Sequence, residues 1–449
     1  MMCAMMGWPH RFGIVVLVFA AAACGARTGL NVGGSPDDGG GGVATYSVTA
    51  TASAGQVTAG GSLATTGSGG SEGPELTCTF AAHRRVIADS EPWHQVYPKL
   101  TFSSGDHREV SLAMRWSAID VDGASPELRY AQLNPWAEWP DEPIDGVHLA
   151  DTQGGASFRP ALAANDKFSV LFSRWTEPGL RFSIESPGSN ADTGVLVHAG
   201  DATPLFAEYG GQGHVVGYRE NSQAYFRTIV GGATMGPEFV AGCSATGLLV
   251  DGAAVNDGWL IVGSKADPPC PAARPEAATW LEVQRQAFGA HSPSPSGTVM
   301  FTPGVSRLDV VGLPDVAWVI WQAGGNDAEV LAGRIDALGQ AVDWPSGGYK
   351  TLSSAGMGGL VAARRMGENL MLLTRFAEGT STPGEELRLT VFDPEAKPLV
   401  SLAFAIEGLT LGADVLASPV GDQALLAFAE TFNGRWRIAT IRIDCTLQG

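Results

Sequence analysis

The sequence contains few charged residues, and basic residues are the scarcer kind. Asp, Glu, Lys and Arg make up 16% of the 449 residues, and 28 Lys and Arg stand against 46 Asp and Glu, which gives a formal net charge of −18. Nucleic acids and anionic membrane surfaces are bound mainly through Lys and Arg, so this balance argues against a nucleic-acid ligand and against a polybasic membrane-surface protein.

Motifs for catalysis and metal binding are also lacking. No His pair has the spacing HExxH or HxH, and no two Cys have the spacing CxxC. The glycines of Gly210–Gly217 precede a strand-like segment, which predicts a tight turn and not a nucleotide-binding loop. The sequence therefore identifies no catalytic residue, no metal ligand and no cofactor, and it favours a non-enzymatic protein while leaving an activity open.

Long hydrophobic runs are absent as well. The longest, Phe12–Ala23, has twelve residues and follows Arg11. A transmembrane helix needs about 20 apolar residues, and a short apolar segment after a positive charge is typical of a secretory signal. We therefore expect the protein to be exported.

The end of this apolar segment resembles a bacterial lipobox. Three small residues, Ala21 to Ala23, directly precede Cys24 and Gly25. The resemblance implies that residues 1–23 are a lipoprotein signal peptide and that Cys24 carries the lipid. It also implies a membrane anchor, and Gly25 favours the outer membrane of a Gram-negative envelope. An ordinary signal with an incidental Cys is the alternative.

The next segment is rich in small polar residues. Of the 45 residues from Asn31 to Glu75, 25 are Gly, Ser or Thr, and none is Lys or Arg. Such a composition cannot bury enough apolar surface to fold, so residues 24–75 are predicted to be a flexible tether with an average reach of roughly 35 to 40 Å.

What the sequence has in abundance is glycine, proline and apolar residues. Gly and Pro number 59 and 27, hydrophobic residues make up 45%, and Trp number 12. Gly and Pro favour short strands joined by turns, and the apolar residues are sufficient for a packed core.

Short apolar segments recur after the tether at intervals of about 52 residues. The seven segments are Val110–Ser117, Phe168–Trp175, His214–Asn221, Gly258–Lys265, Val316–Gln322, Asn369–Phe376 and Gln423–Glu430. Each is followed by a second strand-like segment, and this spacing predicts that residues 76–449 form an all-β β-propeller of about seven four-stranded blades. Six or eight blades, or a pair of β-sandwiches, are the alternatives.

The cysteines fit a closed ring. Beyond Cys24 and the signal peptide, Cys78, Cys243, Cys270 and Cys445 remain, and an even number in an exported chain predicts two disulfides. If the first strand completes the last blade, Cys78 lies beside Cys445, which leaves Cys243 with Cys270. A four-Cys zinc site is the alternative.

A segment with two Trp and several carboxylates is the best candidate for ligand binding. Trp136 and Trp139 stand beside Glu138 and Asp141. Aromatic faces stack on sugar rings and carboxylates accept hydroxyl hydrogen bonds, although both Trp would equally suit packing between blades.

Adjacent arginines occur twice, at Arg84-Arg85 and at Arg364-Arg365. Neighbouring residues of a strand point to opposite faces, so neither pair is expected to converge as a sialidase-like site would need.

The sequence therefore favours a lipid-anchored envelope protein with a monomeric ectodomain. Its propeller is expected to act as a binding or scaffolding module for an unknown protein or glycan ligand. A carbohydrate-binding or carbohydrate-active propeller is the alternative function, and a structural component of a larger envelope assembly is a third.

Overall fold

The structure is a computed structural model, and it describes part of the chain. The described residues are 75–80, 84–89, 93–103, 111–120, 127–133, 147–151, 161–163, 168–173, 179–185, 194–221, 223–231, 234–243, 249–266, 279–302, 305–313, 315–323, 329–342, 344, 349–354, 359–377, 384–407, 412–417 and 422–448. The chain divides into residues 1–42 and residues 43–449, and every described residue belongs to the second part.

Within these ranges the chain forms 31 β-strands and no helix. They group into six sheets, and the largest, of nine strands, divides at a single parallel pair into two antiparallel parts, which gives seven units, here called blades 1 to 7. Blade 1 has β3 (Trp93–Ser103), β4 (Ser111–Asp120), β5 (Glu127–Leu133) and β6 (Val147–Asp151), and blade 2 has β7 (Ala161–Ala163), β8 (Phe168–Ser173), β9 (Leu180–Glu185) and β10 (Val195–His198). Blade 3 has β11 (Thr203–Gly210), β12 (Gly213–Glu220), β13 (Gln223–Val230), β14 (Thr234–Met235) and β15 (Phe239–Cys243). Blade 4 has β16 (Val250–Val255), β17 (Gly258–Ala266), β18 (Thr279–Ala287) and β19 (Ser294–Thr302).

Blades 5 to 7 continue the same order. Blade 5 has β20 (Val305–Gly312), β21 (Val316–Ala323), β22 (Val330–Asp336), β23 (Ala341–Val342) and β24 (Lys350–Ser353). Blade 6 has β25 (Gly359–Met366), β26 (Asn369–Ala377), β27 (Gly384–Phe392) and β28 (Pro398–Glu407). Blade 7 has β29 (Ala413–Ala417), β30 (Gln423–Phe432) and β31 (Arg435–Gln448), completed by β1 (Glu75–Phe80) and β2 (Arg85–Ala88).

The first strands of the seven blades form a closed ring. In the order β3, β7, β11, β16, β20, β25 and β29, each contacts the next, and β29 contacts β3. Four-stranded meanders whose inner strands close into a circle are a β-propeller. The predicted fold is confirmed, and the contacts give seven blades.

The repeated apolar segments of the sequence are the second strands of the blades. Three of them, β12, β21 and β30, are buried at six or seven successive positions. A strand is buried on both faces when a blade packs on each side of it, so its sequence is continuously apolar and not alternating. Apolar clusters accordingly join neighbouring blades, as between blades 4 and 5 and between blades 6 and 7.

The ends of the chain close the ring together. β1 pairs antiparallel with the last part of β31, and β2 pairs with its middle. Cys78 and Cys445 face each other in this pairing and form a disulfide with sulfurs 2.11 Å apart. The N-terminal strand is thus the outermost strand of blade 7, as the sequence predicts, and the predicted pairing of Cys78 with Cys445 is confirmed.

The propeller has two distinguishable faces. Glu75 pairs with Gln448 at the end of the third strand of blade 7, and we call this side the Glu75 face. The second and third strands of each blade meet at the opposite side. In blade 7 they meet after Phe432, where Asn433 and Gly434 both have positive φ. A two-residue hairpin turn of type I′ requires that conformation at both positions, and we call this side the Phe432 face.

Candidate functional site

Acidic side chains on the inner strands tie each blade to the next. A carboxylate oxygen of Asp251 accepts a hydrogen bond from the backbone N–H of Val310, 2.6 Å away in the following blade. Asp309 accepts from Ala363 at 2.8 Å in the same way. These three blades are therefore linked around the axis by side-chain to backbone bonds.

A hydrogen bond of the same kind joins the last blade to the first and closes the ring. Asp414, which is fully buried, accepts a hydrogen bond from the backbone N–H of Leu100 at 3.0 Å. In blade 3, Glu208 accepts a hydrogen bond from the backbone of Ala254 in blade 4. Backbone N–H groups of an inner strand that point away from their own blade are thereby satisfied, which avoids the cost of burying them without a partner.

One arginine joins this set of axial carboxylates. Arg364 of β25 donates from Nη2 to Oδ1 of Asp414 at 2.7 Å, and its side chain is 30% exposed. Its neighbour Arg365 donates instead to the carbonyl of Gly367 at the surface. The two adjacent arginines therefore diverge, as the alternation of a strand predicts.

Two of the axial carboxyls, those of Glu208 and Asp251, have a pKa well above the ordinary value. Burial, together with the charge of Asp251, raises the pKa of Glu208 to about 8. Burial, together with the charge of Asp309, raises the pKa of Asp251 to about 7. Burial opposes ionisation of Arg364, but the charge of Asp414 outweighs it and raises the pKa of that guanidinium.

At pH 7, Glu208 with its pKa of about 8 is largely protonated, and Asp414 accepts a hydrogen bond from Arg364. The carboxyls also have bonds to backbone N–H groups, so their position is explained by the fold itself.

A second charged cluster lies at the seam where the N-terminal segment meets β31. The buried carboxylate of Glu430 contacts Nη2 of Arg84 and lies 2.8 Å from Nε of Arg437. Asp89 lies 3.7 Å from Arg435 and 4.0 Å from Arg437. Arginines from two distant parts of the chain therefore meet here, with carboxylates between them.

Blades 2 and 3 meet through a cluster of aromatic and titratable groups, here called the blade 2–3 junction. Glu238 accepts hydrogen bonds from the Tyr218 hydroxyl and, at 3.1 Å, from Arg227. The ring nitrogens of His198 each lie 3.4 Å from a carboxylate, Nδ1 from Glu238 and Nε2 from Glu220. Partial burial raises the pKa of Glu238, but the bonds from Tyr218 and Arg227 outweigh it and leave that pKa lowered.

A buried histidine belongs to the same junction. His214 is 2% exposed, and its ring lies 4.9 Å from that of Phe182 in blade 2 and 5.1 Å from that of Tyr209. Burial lowers the pKa of His214 to about 4. This histidine is therefore neutral at pH 7.

Several residues singled out in the sequence lie outside the described residues. These are Cys24, Cys270 and the proposed ligand-binding residues Trp136, Glu138, Trp139 and Asp141. Cys243 ends β15, where it is paired with Lys265 of β17, and its pairing with Cys270 stays a prediction. In the described part of the chain, no group of three or more His, Cys, Asp or Glu side chains could hold a metal ion.

The bonds around the axis are not among the sequence predictions, although the sequence carries a signal for them. Asp251, Asp309 and Asp414 each follow an apolar residue near the middle or start of an inner strand. The first two bonds join residues 59 and 54 positions apart, close to one repeat. The signal is an acidic residue that recurs inside the first strand of a blade.

No protein-family model and no curated protein matches this chain. Among solved structures, the β-propeller domain of the Trilobed protease from Pyrococcus furiosus is similar at 9% identity, covering 78% of this chain and 95% of that one, with a TM-score of 0.45. The six-bladed fucose-binding lectin of Aleuria aurantia is 14% identical over 68% of this chain and 97% of its own, with a TM-score of 0.41.

A third similar structure is a subtype N10 neuraminidase-like protein of A/little yellow-shouldered bat/Guatemala/060/2010. It is 11% identical and covers 63% of this chain and 93% of its own, with a TM-score of 0.40. With scores this low, the fold is assigned here from the strand pairing and the closed ring of this chain. Among the described residues, no helix is long and apolar enough to span a membrane.

Proposed function

We propose that the protein is an exported lipoprotein, held at Cys24 by lipid, whose propeller is a non-enzymatic binding or scaffolding module of the cell envelope. The lipobox-like residues before Cys24 and the Gly, Ser and Thr-rich tether support the anchor. The disulfide between Cys78 and Cys445 supports export, since such bonds persist in oxidising compartments.

The observation that carries the binding role is how the axial charges are used. Asp251, Asp309 and Asp414 each bond the backbone of the next blade, and Arg364 is bound to Asp414. Groups used in this way stiffen the ring. A rigid ring with loops on both faces suits the display of a binding surface.

A carbohydrate ligand is the second candidate. The sequence places Trp136 and Trp139 among carboxylates, in the connection between β5 and β6. Stacking on an aromatic ring combined with hydrogen bonds to carboxylates is an effective way to bind a saccharide. A propeller that binds a sugar through this segment would be a lectin of the envelope.

The anchor is tested by metabolic labelling with an alkyne-bearing fatty acid. We expect the full chain to incorporate the label and to sediment with membranes, and Cys24→Ala to lose both. Cys3→Ala is the matched control, because Cys3 lies within the predicted signal peptide. Equal labelling of Cys24→Ala and the parent chain would contradict lipidation at this residue.

The ligand is tested by thermal unfolding of the full mature chain carrying Cys24→Ser, in the presence of a panel of soluble glycans, calcium and a chelator. A ligand at 100 times its Kd stabilises the native state by about 2.7 kcal/mol, which shifts the unfolding midpoint measurably. A shift by a saccharide that Trp136→Ala or Trp139→Ala abolishes, and that Tyr349→Ala retains, would establish the carbohydrate ligand. No shift with any glycan would favour a protein partner.

A further inference from the structure

One histidine of the blade 2–3 junction lies between two carboxylates of the neighbouring blade. His198 ends β10, the outermost strand of blade 2, and its side chain is 16% exposed. Its Nδ1 lies 3.4 Å from Oε2 of Glu238, and its Nε2 lies 3.4 Å from Oε1 of Glu220. Each ring nitrogen therefore faces an acidic oxygen of blade 3.

The two protonation states of an imidazole ring fit this arrangement unequally. A neutral ring has one N–H donor and one bare nitrogen, whereas a protonated ring has two N–H donors. The neutral form of His198 would therefore direct a lone pair at one of the two carboxylates. The protonated form can donate to both, and such bonds are strengthened by the opposite charges. The oxygens of Glu220 and Glu238 are thus placed for the protonated ring.

The two carboxylates differ in what else holds them. Glu238 also accepts hydrogen bonds from the Tyr218 hydroxyl and, at 3.1 Å, from Arg227. The side chain of Glu220 is 31% exposed, and among the described residues its ion-pair partner is His198. Loss of the proton from His198 would therefore free Glu220 and leave Glu238 in place.

The contact with Glu220 fixes the tip of a hairpin. Glu220 is the last residue of β12, and it pairs with Gln223, the first residue of β13, across a turn in which Asn221 has a φ of 53°. This turn lies on the Phe432 face, where second and third strands meet. A change at His198 is therefore passed to the surface of the propeller.

The elements packed against His198 carry further titratable and charged groups. Arg181 of β9 donates to the carbonyl of Gly194 at 3.0 Å, and Tyr225 of β13 donates to Gln223 at 2.5 Å. Asp201, which follows β10, is exposed. The full set is Arg181, Asp201, Tyr218, Glu220, Tyr225, Arg227 and Glu238, and of these Glu220 and Glu238 are the ion-pair partners of the ring.

We propose that His198 is a proton-dependent latch between blade 2 and the tip of the β12–β13 hairpin. The protonated ring binds Glu220 and Glu238 together, and loss of the proton releases Glu220. Histidine side chains as a class exchange a proton between pH 5 and pH 8, so the latch closes as pH falls through that range. The shape that the Phe432 face presents to a partner then changes with pH.

A second histidine of the junction acts in the opposite direction. Burial lowers the pKa of His214 to about 4, so acid weakens the packing around His214 while it closes the latch at His198. The pH dependence of overall stability therefore contains both contributions. The coupling between His198 and Glu220 contains only the latch, because a double-mutant cycle cancels what the two residues do separately.

The coupling is measured by denaturant unfolding of the full mature chain carrying Cys24→Ser. The cycle consists of this parent, His198→Gln, Glu220→Gln and the double variant. We expect a coupling of about threefold in the unfolding equilibrium at pH 5, as for partly exposed ion pairs, and none at pH 8. A second cycle with His291→Gln in place of His198→Gln is the matched control, because His291 is exposed in blade 4, and it should show no coupling at either pH. Coupling between His198 and Glu220 that is absent at pH 5, or equal at both pH values, would overturn the latch.

Hydrogen exchange tests the latch without a substitution in the junction. Protection of the Glu220 and Gln223 amides, corrected for the intrinsic effect of pH on exchange, should be several-fold higher at pH 5 than at pH 8. Met366 and Asn369 pair in the same way across the two-residue turn between β25 and β26 in blade 6, and their protection should stay the same. No change at the blade 3 hairpin, or an equal change at both hairpins, would contradict the inference.

Discussion

The closing seam of blade 7 and the blade 2–3 junction both hold the ring together, but through different interactions. The seam is held by a disulfide and by arginines paired with Glu430 and Asp89. The junction relies on His214 between aromatic rings and on Glu238 bound by Tyr218 and Arg227. Arginines and disulfides do not titrate near neutral pH, whereas burial lowers the pKa of His214 to about 4, so protonation of this histidine in acid opposes the folded state at the junction.

Breaking the seam should have the largest effect. The double substitution Cys78→Ala with Cys445→Ala removes a bond that closes a separation of 367 residues, and we expect unfolding to become easier by about 4 kcal/mol. Denaturant titration of the two proteins measures this difference. Because no titrating group is removed, the difference should be the same at pH 5 and pH 7, and a strong pH dependence would contradict the assignment of the seam as insensitive to acid.

His214 should make the junction sensitive to acid. Its folded-state pKa is lowered from 6.5 to about 4 by burial, so the unfolded chain binds the proton first and stability falls as pH falls from 6.5 to about 4. A displacement of this size corresponds to about 3 kcal/mol. His214→Phe should flatten the stability curve across that window, measured by denaturant unfolding at several pH values.

His291 is the matched control for that measurement, because it is exposed in a turn of blade 4. The substitution His291→Phe should leave the slope of stability between pH 6.5 and pH 4 unchanged. An unchanged slope in His214→Phe, or an equal loss of slope in both variants, would exclude His214 as its source.

The ionic part of the seam should contribute less than the disulfide. Glu430 has a side chain 2% exposed between Arg84 and Arg437, so Glu430→Gln leaves two guanidinium groups without their shared anion. We expect a loss of about 2 kcal/mol, since removing one partner of a buried pair costs more than the pair contributes. Asp89→Asn, whose side chain is 21% exposed, should cost clearly less, and equal losses for the two substitutions would contradict the central position of Glu430.

Substituting the axial Glu208 is expected to have the smallest effect on stability, and its pH dependence has the opposite sign to that of His214. The pKa of Glu208 is raised from 4.5 to about 8, so the folded state holds a proton that the unfolded state releases, and stability falls as pH rises from 4.5 to 8. Glu208→Gln removes that dependence and should be more stable than the parent chain at pH 8 by about 1 kcal/mol, discounted for the partial exposure of the side chain. Thermal unfolding at pH 5 and pH 8 tests this, and a gain that is larger at pH 5 would contradict it.

The architecture could be predicted from the sequence because the strands buried on both faces are continuously apolar. Segments such as Val316–Gln322 and Gln423–Glu430 stand out for that reason, and both are second strands. Turns can also be inferred from the sequence, because the bonds that form them join residues close together in the chain. Asp336 accepts hydrogen bonds from the backbone of Leu338 and Gln340 at 2.9 and 2.8 Å, and Asp393 does the same with Glu395 and Lys397 in blade 6, which is typical of an Asp at the end of a strand.

The candidate site could not be predicted in the same way, because its contacts join distant parts of the chain. In the sequence Arg84 stands next to Arg85, yet its partner in the fold is Glu430, at the other end of the chain. Asp414 contacts Leu100 across 314 residues, and its role depends on ring closure. Local spacing carries no information on which group a side chain meets across a closing ring.

The disulfide of the seam also determines how the protein carries a mechanical load. Tension on the chain ahead of Glu75 enters the propeller along β1 and reaches Cys78 after three residues, where it passes directly to Cys445. The strand that a pull would peel away first is therefore covalently fixed. The seven blades lie within the loop that this bond closes, so a pull on the chain ahead of Glu75 reaches them only through a covalent link between both ends of the propeller.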